Sequence, residues 1–366
     1  MPEQKTYDKV FLAIVIILSV VGIFVFTSAS LGLLRDGDGS FSRMVLKQIG
    51  LGLVLGWLSL SLLSKINYKV WEKYSFWIFL LSIVATLLVF VPGLGVTLNG
   101  AKRWILLGPL SFQPAEFLKL GFVVFFAFWL SRIKDSAQNF VSGFLPSLLI
   151  ISIPVAVLLA QPNTGTSLSI IAAGLCMFFA AGLRWKHLAI FFVLVLLMVS
   201  AMAYFKPYAR ERILTFVDPA RDPQGAGYQV RQSLISIGSG RILGRGFGQG
   251  IQKYNYLPEP TGDAIFAVAG EEFGFFGATL IVLMFLAFLI RGLGIAERSR
   301  DLFGRLLTVG IVILMTAQSF VNMGAMLGIL PVTGVPLLFL SQGGTALFFA
   351  LSEIGIVLNI SRYTTK

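Results

Sequence analysis

Apolar runs of about twenty residues recur along the whole chain, separated by short stretches in which the charged residues gather. Candidate membrane-crossing helices fall at 10–33, 48–64, 74–92, 115–131, 143–160, 165–182, 187–205, 264–290, 303–323 and 340–360. Irregular backbone cannot face lipid, because its N–H and C=O groups would lose their partners, so such runs are read as helices. The pattern predicts an all-α integral membrane protein of about ten transmembrane helices, one polytopic domain over residues 1–366. The first run ends in TSAS but exceeds the ~7–15 apolar residues of a cleaved signal peptide, and it is read as a retained span.

Between the seventh and eighth runs lies the segment 206–263, too long for a plain connector, since structureless loops beyond about 12–15 residues are uncommon. Within it, ARERILTFV and YQVRQSLISIG place Ile213, Leu214 and Val217, and Val230, Leu234 and Ile235, at helical spacing against Arg and Gln. Interfacial helices carry that pattern. A large folded extracytoplasmic cap is expected there.

Composition agrees: 56% of the residues are hydrophobic and 13% charged, with a mean hydropathy of +0.85, where soluble domains average roughly 25% charged. The placement of Lys and Arg sets the orientation. The termini and the loops on their side carry fifteen basic residues: Lys5, Lys9, Lys65, Lys69, Lys73, Arg132, Lys134, Arg184, Lys186, Arg291, Arg298, Arg300, Arg305, Arg362 and Lys366. The short loops opposite carry five, Arg35, Arg43, Lys47, Lys102 and Arg103. Both termini are therefore expected in the cytoplasm, and the eight basic residues of 206–263 do not overturn this because long loops translocate largely regardless of charge. The net charge of +12 is spread over membrane-flanking loops and forms no basic stripe, which argues against a nucleic-acid partner.

Chemistry has few candidates. Cys176 is the lone cysteine and lies in an apolar run, which excludes an intramolecular disulfide framework and a cysteine-rich metal site. His187 is the lone histidine, in the short turn RWKHLA on the cytoplasmic side, which excludes a Ser-His-Asp or Cys-His mechanism on the outer face. The glycine-rich run GSGRILGRGFGQG, 238–250, is either a tight turn or an anion cradle of converging backbone N–H groups, with Arg241 and Arg245 adding charge. Asp263, just before AIFAVAG, is either a helix cap or a catalytic base. On a helix running from it, Glu271 would lie about 80° round from Asp263 and Glu272 on the opposite side. Carboxylates inside a span are costly and normally paired. Glu116 and Lys119, one turn apart, are expected to form an interhelical ion cluster with Glu272, and Glu116, Lys119 and Glu271 are also candidates for lining a cavity.

The stretches NGAKRWILLGPLSFQPAEFLKL (99–120), QPNTGTSL (161–168), RILTFVDPARDPQGAGYQVRQSLISIGSGRILGRGFGQGIQKYNYLPE (212–259), GDAIFAVAGEEFGFFG (262–277) and GILPVTGVPLLFLSQGG (328–344) follow one another in an order that resembles the SEDS family of peptidoglycan polymerases, whose members include FtsW, RodA and SpoVE. QKYNYLPE and GIVLNISRY look more like the division-associated FtsW branch than the elongation-associated RodA branch. The resemblance implies a glycosyltransferase of the bacterial cytoplasmic membrane, at the division septum, that polymerises lipid II on the outer face and releases undecaprenyl pyrophosphate. It also implies an essential carboxylate at Asp263, the general base for the attacking sugar hydroxyl. Departure of pyrophosphate calls for cations or N–H donors. Lys102, Arg103, Arg210, Arg212, Arg231, Arg241 and Arg245 are the outer-face candidates, and Glu259 is grouped with them as a substrate-site residue. A divalent cation, Mg or Mn, is a further candidate, though no ligand motif marks it. The implied partners are a class B penicillin-binding protein transpeptidase and other divisome subunits.

The chain departs from the family's usual wording at several positions. Thr261 and Gly262 stand where members carry a His-Thr pair before the acid, Asn163 replaces an acidic residue, and Leu338 and Gln342 replace a proline and a tyrosine. No histidine-assisted proton transfer is therefore assigned. Two other readings remain open: a flippase or transporter of lipid-linked precursor, which should depend on charges at mid-membrane, and a divisome scaffold without chemistry of its own. An indispensable carboxylate at the outer face favours the polymerase.

Overall fold

The computed structural model describes residues 6–36, 40–98, 101–107, 110–133, 139–182, 184–222 and 225–364. Lys5, Lys134, Lys366 and the Asn99-Gly100 pair lie outside the described residues. α1 (Lys9–Ser30) starts where the Asp8 carboxylate accepts the Phe11 N–H at 2.8 Å. α2 (Ser40–Leu46), a π-helical stretch and α3 (Leu55–Leu63) make the second crossing, and α4 (Lys69–Leu87) the third. α5 (Pro114–Arg132), α6 (Leu145–Ala160), α7 (Thr164–Ala180) and α8 (Trp185–Phe205) follow. α9 (Pro207–Val217) and α10 (Ala226–Ser239) occupy the long segment before α11 (Ile265–Glu297), α12 (Leu302–Met326) and α13 (Gly344–Ser361). Among the described residues nine helical runs are long and apolar enough to cross a membrane, and α7, with 17 residues or fewer, is a shorter apolar helix where the tenth span was expected.

The helical expectation holds, with one small sheet added to it. Between α4 and α5, β1 (Gly95–Leu98), β2 (Ala101–Leu107) and β3 (Leu110–Phe112) form an antiparallel sheet in the order β1-β2-β3, with Val96 opposite Trp104 and Ile105 opposite Phe112. The cause is local in sequence. VTL and RWILL are rich in β-branched, aromatic and aliphatic residues, and an Asn-Gly pair between two such runs is a strong hairpin signal.

Burial sorts the helices. The most apolar windows of α13, α12 and α5 are 83%, 78% and 72% buried, against 6% for α8. α5, α12 and α13 thus form the centre of the bundle, α7 packs against α12, and α8 is a peripheral helix.

α11 breaks at Gly274, whose φ of 64° and ψ of −162° are essentially closed to any residue with a Cβ. The amides freed there go to the glycine-rich run: Phe275 N–H donates to the Arg241 carbonyl at 2.9 Å and Phe276 N–H to the Ile242 carbonyl at 3.3 Å. A Cβ on Gly274 would stand 2.3 Å from the Gly244 nitrogen, so the two backbones meet only because both are bare.

Gly248 of this run and the two residues that follow the run do present N–H groups to anions, but the anions are carboxylates of the chain itself. Gly248 N–H donates to Glu272 Oε2 at 3.1 Å, and the N–H groups of Ile251 and Gln252 donate to Glu271 at 2.9 and 3.2 Å. Lys253 is buried, pairs with Glu272 at 2.6 Å and donates to Ser28 Oγ of α1 at 2.9 Å. Arg245 pairs with Glu271 at 3.5 Å. The expectation that Glu272 joins Glu116 and Lys119 is therefore corrected. α11 turns Glu272 toward α1 and the glycine-rich loop, whereas α5 packs on α4 and α12.

Removing one partner of such a buried pair leaves an uncompensated charge. Lys253→Met should lower stability by about 3–5 kcal/mol, read by thermal or SDS unfolding of the purified protein. The double variant Lys253→Met with Glu272→Leu should recover most of that loss.

Candidate active site

Asp263 sits in a turn that precedes the helix. Glu259, at φ 48°, bends the chain so that its carbonyl accepts the N–H groups of Gly262 and Ala264 at 3.0 and 3.2 Å. α11 begins after Ala264 with no side-chain cap, so the helix-cap alternative for Asp263 falls away. The expected 80° relation between Asp263 and Glu271, which assumed one continuous helix, lapses with it.

Three successive carbonyls fix this turn. Asn322 Nδ2 of α12 donates to the Asp263 carbonyl and to the Val335 carbonyl, each at 2.8 Å. Ser341 Oγ donates to the Gly262 carbonyl at 2.8 Å, and the Gln342 N–H donates to the Thr261 carbonyl at 2.6 Å. The Thr261 hydroxyl in turn donates to Gln342 Oε1 at 3.1 Å. Two of the departures from the family wording are thus each other's partners.

The carboxylate itself meets arginine over bare backbone. A Cβ on Gly334 would stand 3.5 Å from Asp263 Oδ2 and 3.7 Å from an Arg212 amino nitrogen, both ordinary contacts, and it is the φ of 72° that favours glycine there. Arg103 of β2 approaches from another side, donating through Nε to the Gln161 carbonyl at 3.2 Å and through Nη2 to the Pro162 carbonyl. Gln161 Nε2 is anchored on the Thr86 carbonyl at 2.8 Å. Asn163 caps α7 by accepting the Thr166 N–H at 3.4 Å, a task Asn and Asp perform alike.

Burial and then the negative charge of Glu259 push the Asp263 carboxyl up to about 6, while Arg212 and Arg103 pull it down. A carboxylate in that range is ionised at neutral pH and still a useful proton acceptor. Of the seven expected cations, Arg103 and Arg212 are those whose charge acts on Asp263. Lys102, Arg210, Arg231 and Arg241 stand at exposed positions, and Arg245 is paired with Glu271. Among the described residues no group of three or more His, Cys, Asp or Glu could hold a metal ion, and the positive charge beside Asp263 is that of the two arginines.

Deeper in the bundle, Lys119 pairs with Glu116 at 2.7 Å and donates to Gln318 Oε1 at 2.7 Å. Glu353 of α13 is buried within electrostatic reach of both charges. Gln318 Nε2 donates onward to the Pro336 carbonyl at 3.1 Å, in the same segment that Asn322 holds against Asp263. Sequence reasoning missed Glu353, although a carboxylate inside the 340–360 run is the signal that singled out Glu116. Lys253 and Asn322 carried no such signal, because a lysine in a polar loop and an amide near a span end read as surface.

Apolar cavities lie beside the site. One of about 310 Å³ opens between α6, α7 and α8, lined by Leu148, Ile151, Val155, Phe191, Leu194 and Met198. A second of about 100 Å³ shares Leu159 and Met198 with it and ends at Arg212, Val332 and Thr333.

Fold and site together define a multi-pass membrane protein with a half-buried acid under the charge of two arginines, one of which, Arg212, borders an apolar cavity. The family model described as "Cell cycle protein", which joins FtsW, RodA and SpoVE, matches residues 8–366, and the chain belongs to that family. A probable peptidoglycan glycosyltransferase FtsW of Geobacter sp. (strain M18) is 38% identical over 363 residues, 99% of this chain and 98% of its own length. Stage V sporulation protein E of Bacillus subtilis (strain 168) is 35% identical over 368 residues and is covered in full. A chain of a solved peptidoglycan synthase complex, described as coordinating polymerization and crosslinking, superposes with a TM-score of 0.79 at 30% identity, covering 97% of this chain and 98% of that one. The rod shape determining protein RodA of Thermus thermophilus gives 0.71 at 26% identity, with 98% of each chain covered.

The Asp263 carboxyl, isolated as the infrared difference between the native protein and Asp263→Asn, should titrate with a midpoint at about 6. Arg212 favours the charged form, so Arg212→Gln should raise that midpoint; an unchanged or lower midpoint would show that Arg212 does not act on Asp263.

Proposed function

We propose that the chain is a peptidoglycan glycosyltransferase that polymerises lipid II on the outer face of the cytoplasmic membrane during cell division, with Asp263 as general base. The observation that carries this reading is that the charges of Arg212 and Arg103 act on Asp263 while Arg212 also closes one end of an apolar cavity. Full-length relatives named peptidoglycan glycosyltransferase FtsW support the reaction class and the division branch. The excess of Lys and Arg on the side of the termini supports cytoplasmic termini and an outer position for the 206–263 cap, which bears the catalytic acid.

In this reading the acceptor sugar hydroxyl attacks the anomeric carbon of the donor, and its proton passes to Asp263. A new C–O bond forms at that carbon while the bond to the pyrophosphate oxygen breaks. Undecaprenyl pyrophosphate leaves with the electron pair, its charge met by Arg212 and Arg103. The cavities along α8 are lined mainly by apolar side chains, which suits a polyprenyl tail, and the second reaches Arg212, where the pyrophosphate would then lie. The synthase complex among the structural neighbours supports a class B penicillin-binding protein as partner, with other divisome subunits at the septum. Glu116, Lys119 and Glu353 are buried between helices and line neither cavity, which disfavours a transport path through them.

Labelled lipid II should be polymerised by the purified protein together with its transpeptidase partner, and Asp263→Asn, matched for folding, should lose at least about 100-fold in rate. Normal polymerisation by Asp263→Asn would remove the base assignment. A native protein that never polymerises would restore the transporter and scaffold readings.

A further inference from the structure

Glu259 lies four residues before Asp263 in the same turn, and its position is built rather than incidental. Its backbone is held in the left-handed region, at φ 48°, by the two N–H groups that its carbonyl accepts. Its carboxylate folds back over Gly262: a Cβ on Gly262 would stand 3.2 Å from Glu259 Oε2. A methyl group there would press on that carboxylate and shift it by a few tenths of an ångström. The charged groups that act on Asp263 are then Glu259 from its own turn, Arg212 from α9 and Arg103 from β2. The facing segment and α12 contribute neutral groups, Ser341, Gln342 and Asn322.

We infer that Glu259 is a positioning residue that sets the proton affinity of the base and holds no part of the substrate. Two acids thus stand against two arginines at the site. A carboxylate repels pyrophosphate, so its grouping with the pyrophosphate-binding cations does not fit its chemistry. Its negative charge beside Asp263 disfavours a second one, which makes Asp263 a stronger proton acceptor. The inference rests on the reading of Asp263 as general base.

The test is the pH profile of lipid II polymerisation by the full protein with its partner, for the native chain, Glu259→Gln and Gly262→Ala. Glu259→Gln keeps size and hydrogen bonding at an exposed position and removes only the charge. Its acid limb should move to lower pH by roughly half to one unit, with an unchanged or lower KM for lipid II. Gly262→Ala, which displaces the carboxylate, should move the limb the same way. Three results would overturn the inference: an unmoved acid limb in Glu259→Gln, a raised KM, or loss of activity at every pH. Should Asp263→Asn itself polymerise normally, the base reading fails; should Asp263→Asn be inactive and Glu259→Gln keep the native limb, only the role of Glu259 fails.

Discussion

The carboxylates of Glu271 and Glu272 are buried where no water reaches them, so the chain must bring its own donors to them. Burying a charge is tolerated only when it is paired and hydrogen-bonded. Three loop N–H groups, Lys253, Arg245 and Ser28 meet that demand, and in doing so they fasten the loop after α10 onto α1 and α11. Gly274 opens α11 at the same level, so that loop and helix exchange backbone hydrogen bonds. With the loop fixed at 241–253, the turn from Glu259 to Ala264 enters α11 from a set position.

The site is a second consequence of satisfying backbone. Asp263 is placed through its own carbonyl and those of its two predecessors, held by Asn322, Ser341 and Gln342. Its carboxylate lies beside Gly334, across from Arg212. Asn322 and Gln318 lie one turn apart on α12 and hold adjacent parts of the 335–336 backbone. The Glu116–Lys119 pair, linked through Gln318, is therefore joined to the wall of the site without entering it.

The departures from the family wording read differently once they are in space. Thr261 and Gln342 lie 81 residues apart in sequence and share a hydrogen bond, so one exchange accommodates the other. Gly262 leaves room for the Glu259 carboxylate, and Asn163 still caps α7. Leu338 is simply buried in the core. The charges that act on Asp263, those of Glu259, Arg212 and Arg103, lie at none of these positions.

The sequence by itself determined the membrane class and the order of the crossing helices, and it singled out Asp263 as the candidate acid. Apolar run length and ordered motifs are properties of neighbouring residues, and they survive without a third dimension. It also flagged Glu116, Lys119, Glu271 and Glu272 as acids and bases needing partners, because charge in an apolar run is visible in one dimension. Only the tertiary structure decided which partners they take. Lys253 goes to Glu272, Gln318 to Lys119 and two of the seven candidate cations act on Asp263, since pairing depends on which helix faces meet across hundreds of residues. The glycine-rich run shows the division most plainly. Its capacity to bind an anion was legible in its glycines, whereas the identity of that anion, the chain's own glutamates, depended on the break in α11 that brings them within reach.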